Sequence, residues 1–154
     1  MKPSKLNTFT EAITILFVIL FLYTGISKLM DYTVFKEQIA TSPILAPVSR
    51  WIAAALPWME FAIVILLAIP KWRLKGLYAS FIIMILFTGY IISMLTFNKD
   101  IPCSCGGVIE LLSWNQHIIF NTVFILLAAI AIAIEKRINN DKKRTMAFIT
   151  EPNN

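Results

Sequence analysis

The chain has 154 residues, of which 58% are hydrophobic and 15% are charged, and its mean hydropathy is +0.73. So few charged residues cannot cover the surface of a water-soluble domain of this length, so the composition excludes an ordinary soluble protein and indicates a membrane protein. The net charge of +5 does not indicate nucleic-acid binding, because the basic residues flank apolar segments and do not form a stripe with interleaved aromatic residues.

Four apolar segments predict four transmembrane helices, at about residues 12–30, 52–69, 77–97 and 118–134. Each approaches the roughly 20 residues that a helix needs to cross about 30 Å of hydrocarbon. Helices are expected because backbone polar groups cannot stay unpaired in lipid. We therefore predict an all-α, integral membrane four-helix bundle that forms a single domain over residues 1–154, with a basic tail over residues 135–154.

A lysine and a glutamate interrupt the first two apolar segments. Lys28 lies near the end of the first segment, and Glu60 lies several residues inside the second. A carboxylate inside hydrocarbon costs at least a few kcal/mol, so Glu60 must be protonated, paired or turned toward the bundle interior. Antiparallel packing makes Lys28 its nearest candidate partner. Two roles stay open: an ion pair that fixes helix packing, or a proton site that serves chemistry at the nearby loop.

Small residues along all four segments, among them Gly25 in the first and Ala53 in the second, predict close helix–helix contacts within the bundle. Gly89 and Ser93 lie four residues apart, as do Ala129 and Ala133. This spacing puts two small residues on one face of a helix and lets a neighbouring backbone approach. It is a common pattern, so it leaves the oligomeric state open.

The only two cysteines, Cys103 and Cys105, lie in the short polar break between the third and fourth segments, followed by Gly106 and Gly107. Cysteines at positions i and i+2 form a disulfide only where the chain bends, and glycines make such a bend easier. A bridge in so small a ring is strained and easily reduced, and it constrains the unfolded chain very little. The pattern favours redox exchange, while a static thiol pair and metal binding stay open.

The only histidine, His117, lies twelve residues beyond Cys105, at the start of the fourth segment. Two thiolates and one imidazole are one ligand short of a closed zinc site, so we predict no metal at these residues. Cu(I) needs fewer ligands and is the metal that stays open as an alternative. The pattern favours an interfacial polar residue near Trp114. The alternatives are that His117 lowers the pKa of a thiol or relays a proton to the cysteines.

Lysine and arginine are unevenly distributed between the two sides of the predicted bundle. One side carries Lys2, Lys5, Lys71, Arg73, Lys75, Lys136, Arg137, Lys142, Lys143 and Arg144, and the other carries Lys36, Arg50 and Lys99, with Lys28 at the membrane edge. The positive-inside rule therefore predicts cytoplasmic termini and an outward Cys103/Cys105 loop, in a bacterial-type inner (plasma) membrane. Disulfides form and persist on that outer side.

Three stretches resemble the methylamine utilisation protein MauE branch of the DoxX-like family of small membrane proteins. They are Thr24-Gly25-Ile26-Ser27-Lys28-Leu29 with Asp31, Tyr32 and Phe35; Leu56-Pro57-Trp58-Met59-Glu60; and Cys103-Ser104-Cys105-Gly106-Gly107 with Ser113, Trp114 and Asn121. The resemblance implies a four-helix membrane protein associated with periplasmic thiol chemistry, which in methylamine utilisation helps a disulfide-rich dehydrogenase subunit to mature. Similarity in architecture to vitamin K epoxide reductase-like proteins implies a quinone as one cofactor class.

From the residues and this resemblance we predict thiol–disulfide exchange at Cys103 and Cys105, supported by Lys28, Glu60 and His117. The predicted partners are the lipid bilayer and a periplasmic thiol protein, with no nucleic acid. A rival interpretation is a non-catalytic membrane subunit or assembly scaffold whose cysteines only shape the loop. A third is a small carrier for a metal or solute.

Overall fold

The computed structural model describes residues 3–41, 45–97 and 114–150. In these ranges the chain forms the helices α1 (Pro3–Met30), α2 (Tyr32–Ala40), α3 (Ser49–Ala68), α4 (Arg73–Phe97) and α5 (Trp114–Thr150), with a 3-10 turn at Ala46–Val48. Cys103 and Cys105 lie outside the described residues.

Four of these helices are long and apolar enough to cross a membrane, over Leu6–Met30, Ala46–Ala68, Arg73–Ser93 and Asn115–Met146. Each overlaps most of one segment expected from the sequence, and the prediction of an all-α bundle with four spans is confirmed. Large apolar side chains also cover the outside of the bundle, such as Trp51 at 76% and Trp58 at 67% exposure. Apolar surface of this extent is stable in contact with lipid.

The four spanning helices pack as a ring in which each helix packs mainly against two neighbours. α1 packs against α3 and α5, and α4 packs against the same two helices. Phe17 of α1 is fully buried in the centre, with its ring 6.0 Å from that of Phe21 and 5.3 Å, edge-on, from that of Phe124. Because the spans alternate in direction, α1 and α4 end at the same face of the bundle at which α3 and α5 begin. We call this face the loop end.

The short helix α2 covers part of the loop end. The sequence analysis expected only a connecting loop here. Phe35 and Ile39 of α2 are buried together with Ala53 of α3. The Lys28 Nζ atom lies 5.7 Å from the centre of the Phe35 ring, within the range of a cation–π contact. α2 therefore closes the bundle over the end of α1.

The contacts predicted for the small-residue pairs of the third and fourth segments are wrong. A Cβ atom added to Gly89 would meet nothing within 4 Å, and Ala129 and Ala133 are exposed. Spacing alone does not reveal which face of a helix turns inward. Close approaches occur at Gly76, where a Cβ would lie 2.9 Å from the backbone nitrogen of Leu67, and at Gly25, one of the small residues that the sequence indicated.

Helix α5 continues well beyond the apolar segment that predicted it. It has 37 residues, so at about 1.5 Å per residue it is longer than the hydrocarbon core is thick. The basic segment from residue 135 to residue 150 is therefore helical.

Candidate functional site: a buried polar cluster at the loop end

The centre of the site is an ion pair between α1 and α3. The Lys28 Nζ atom lies 2.8 Å from Glu60 Oε1, and both side chains are 8% exposed. Nζ also donates a hydrogen bond to the Thr24 carbonyl oxygen at 3.3 Å. The contact that the sequence predicted is therefore present. Its role in the chemistry of the protein stays a prediction.

Gly25 allows the carboxylate of Glu60 to lie directly against α1. A Cβ atom at Gly25 would be 3.3 Å from Glu60 Oε2 and 3.1 Å from the ring of Phe61. Both distances are tighter than ordinary van der Waals contact. The glycine one turn before Lys28 thus brings the two helices close enough for the ion pair to form.

Gly25→Leu is expected to destabilise the bundle by roughly 1–3 kcal/mol, because overpacking forces α1 and α3 apart and separates Lys28 from Glu60. Gly89→Leu is the matched control, since a side chain there enters open space. The free energy of unfolding would be measured by titration with sodium dodecyl sulfate in mixed micelles. Equal losses of unfolding free energy in the two variants would contradict a close contact between α1 and α3 at Gly25.

Polar side chains from α5 lie beside this ion pair. His117 and Asn121 are 2% and 3% exposed and lie one turn apart on α5. The His117 ring centre is 6.1 Å from that of Phe87 on α4. His117 is therefore buried inside the bundle, although the sequence pattern favoured an interfacial residue.

These groups surround a small cavity of about 40 Å³ between the four spanning helices, which we call the inner chamber. Its lining consists of Leu20, Phe21, Thr24, Lys28, Leu56, Glu60, Ile83, Met84, Phe87, His117, Phe120 and Asn121. Most of this wall is apolar, and the polar groups of α1, α3 and α5 face one another across it. The chamber thus brings together the three predicted support residues, Lys28, Glu60 and His117.

Asn121 is a site residue whose position the sequence analysis did not foresee. It entered the analysis only as part of a family motif, and its spacing of four residues from His117 was the signal that both share a face of α5. Segment 98–113, which contains Cys103 and Cys105, joins α4 to α5 at the loop end, the same end as the chamber. Both cysteines lie outside the described residues, so the structure gives no distance from them to the chamber.

A second ionic cluster lies at the opposite end of the bundle. Arg73 of α4 lies 3.9 Å from the carboxylate of Glu11 on α1 and 4.0 Å from that of Glu135 on α5. The sequence analysis counted Arg73 only as an orientation signal. Because its partners come from two other helices, recognising the cluster requires knowing which faces meet.

The inner chamber offers little to a metal or a quinone. The described residues contain no group of three or more His, Cys, Asp or Glu residues that could hold a metal ion. The inner chamber, at about 40 Å³, is far below the roughly 300–1,000 Å³ of ordinary ligand pockets, so a quinone ring does not fit in it. We therefore derive no step through either group.

Comparison with known proteins identifies one family. The family model described as methylamine utilisation protein MauE matches residues 6–134 of the chain. This range includes Cys103, Cys105 and every residue that lines the inner chamber. The comparisons with curated proteins and with solved structures find no match.

Proposed function

This chain belongs to the methylamine utilisation protein MauE family, and on that premise we propose that it supports the oxidation or maturation of a periplasmic redox partner by thiol–disulfide exchange. The observation that carries the proposal is the position of the only cysteine pair. Cys103 and Cys105 fall within the matched range, in the segment that joins two membrane-spanning helices. Methylamine utilisation, named in the family description, is the process that we propose for the partner.

The exchange needs two thiols on each protein. A thiolate of the partner attacks the Cys103–Cys105 disulfide, which forms a mixed disulfide and releases one cysteine of the pair as a thiolate. A second partner thiolate then displaces the other cysteine, so the partner gains a disulfide and loses two electrons. Cys103 and Cys105 hold these electrons as two thiols until a second protein of the outer compartment, itself carrying a disulfide, takes the two electrons and two protons by the same exchange.

We propose that Lys28, Glu60 and His117 support this chemistry from the inner chamber. Each attacking thiol must lose its proton and each released thiolate must gain one, and a carboxylate and an imidazole in the bundle are groups that can carry these protons. Support comes from their burial together, which is costly in a membrane and is typical of functional groups.

Thiol trapping on isolated membranes tests the proposal directly. Membranes are treated with or without a reductant, quenched in acid and alkylated with a maleimide that adds visible mass to each free thiol. We expect Cys103 and Cys105 to shift together between oxidised and reduced forms as the external redox state changes. A pair that remains in one form under both conditions would contradict thiol exchange.

We predict that both termini lie in the cytoplasm and that Cys103 and Cys105 face outward. The prediction follows from the excess of lysine and arginine on the side of the termini. A membrane-impermeant maleimide should then label the cysteines on intact, reduced cells. As a control, a cysteine introduced at Asn139, in the α5 extension of the variant with Cys103→Ser and Cys105→Ser, should react only after lysis. Labelling of Cys103 and Cys105 only after lysis, with labelling at position 139 on intact cells, would show the opposite topology.

The second candidate function is a non-catalytic subunit or assembly scaffold. The observation that favours it is the packing role of the polar cluster, since Lys28 and Glu60 tie α1 to α3 directly. A scaffold predicts that both cysteines can be replaced without loss of activity, which separates it from the exchange proposal.

A further inference from the structure

Two polar atoms on the wall of the inner chamber lack a hydrogen-bond partner within the part of the chain that the structure describes. They are Oε2 of Glu60 and Nδ2 of Asn121, on residues that are 6% and 3% exposed. Leaving a buried polar group unpaired costs about 1–3 kcal/mol, and more for a charged group. One is an acceptor on α3 and the other is a donor on α5, and both line the same cavity.

The neighbouring side chains do not relieve this cost. The Thr24 hydroxyl lies near the Glu60 carboxylate, but it donates its hydrogen to the Phe21 carbonyl oxygen at 3.4 Å. Turning that hydroxyl toward Glu60 would still leave the Asn121 amide without an acceptor. Lys28 already contacts the other oxygen of Glu60. The cavity that both residues line is the place from which one partner could reach both atoms.

We infer that the inner chamber is a binding site for one or two water molecules that bridge Asn121 to the Lys28–Glu60 pair. A water accepts a hydrogen bond from Asn121 Nδ2 and donates one to Glu60 Oε2, which satisfies both atoms. The chamber volume of about 40 Å³ exceeds the roughly 10–15 Å³ that a buried water requires. The site also offers the two or more polar partners that such a water needs.

Other small ligands fit the chamber poorly. A metal cation would face the Lys28 ammonium, which lies 2.8 Å from the only described carboxylate in the lining. An anion would face that same carboxylate. A neutral molecule that both donates and accepts hydrogen bonds matches the charge and the two orphaned atoms. Water is the molecule of this class that fits the volume.

The water site makes the polar cluster continuous across the bundle. It connects α5 to the pair on α1 and α3, in a chamber that His117 also lines. The inference does not depend on the cysteines, so it can fail while thiol exchange stands, and the reverse also holds.

Water-edited solid-state NMR on the full chain in lipid bilayers tests the inference. The experiment measures how fast magnetisation passes from water protons to the side-chain carbon of Glu60, which is assigned by its loss in Glu60→Gln. Ile63, one turn further along α3 and 3% exposed, is the dry reference. We expect the transfer to Glu60 to be several-fold faster than the transfer to Ile63. Equal rates in the unmodified protein would overturn the inference.

Two substitutions at Asn121 sharpen the test. Asn121→Leu removes the donor and fills the space, so the transfer to Glu60 should fall to the level of Ile63. Asn121→Ala removes the donor but enlarges the chamber, so Glu60 should stay hydrated. Thr122→Val is the matched control, because Thr122 is exposed and donates to the Ile118 carbonyl oxygen within its own helix. Fast transfer that persists in Asn121→Leu would place the water elsewhere and overturn the inference.

Discussion

Lys28→Met is expected to destabilise the folded bundle by about 3–5 kcal/mol, because it leaves the Glu60 carboxylate buried without its partner. The remaining oxygen of Glu60 has no hydrogen-bond partner among the described residues, so nothing there compensates for the lost ammonium. The substitution also removes the cation from the Phe35 ring of α2. The free energy of unfolding would be measured by detergent titration, followed by circular dichroism.

The double variant shows whether the two residues are coupled. Lys28→Met combined with Glu60→Gln should cost less than the sum of the single variants, by about 0.5–3 kcal/mol. The control cycle pairs Glu60→Gln with Lys36→Met. Lys36 is exposed on α2, so the changes in the free energy of unfolding caused by these two substitutions should add. Strict additivity of the Lys28 and Glu60 variants would contradict a stabilising ion pair.

The fold could be predicted from hydropathy because the four spans are set by one strong constraint. A segment of about 20 apolar residues must cross the membrane as a helix, whatever its neighbours are. Helix α2 escaped prediction because its nine residues carry too short a pattern to separate a surface helix from a loop. The outward position of Gly89 and Ala129 escaped prediction because spacing does not encode which face of a helix its neighbours cover.

The site could be predicted in part, for a similar reason. A charged residue in hydrocarbon must be protonated, paired or turned inward, and this requirement together with antiparallel packing identified Lys28 as the candidate partner of Glu60. Asn121 carries no charge, so its place in the chamber became visible only when α5 was packed against α1 and α3. Arg73 could not be assigned to Glu11 and Glu135 from the sequence, because basic residues at that end have a second explanation in membrane orientation.

Replacing Cys103 and Cys105 with serine is expected to abolish thiol exchange while the protein stays folded and inserted. The described bundle is held by contacts among its four spanning helices, and those contacts come from residues far from either cysteine in the sequence. A bridge across so short a loop would add little stability, so losing it should leave the free energy of unfolding nearly unchanged. Exchange would be measured in proteoliposomes with a dithiol peptide supplied on the outer side. Ser104→Ala, between the cysteines, is the matched control.

The single variants separate the roles of the two cysteines. Exchange needs one thiol to form the mixed disulfide and a second to complete the transfer. One of Cys103→Ser and Cys105→Ser should therefore trap a covalent adduct with a partner, visible on a non-reducing gel and lost on reduction. Because the loop with the cysteines is predicted to face outward, the trapped partner should be a protein of the outer compartment. Full activity in the double serine variant would contradict the exchange proposal and favour the scaffold. In that case the polar groups of the inner chamber would serve helix packing alone.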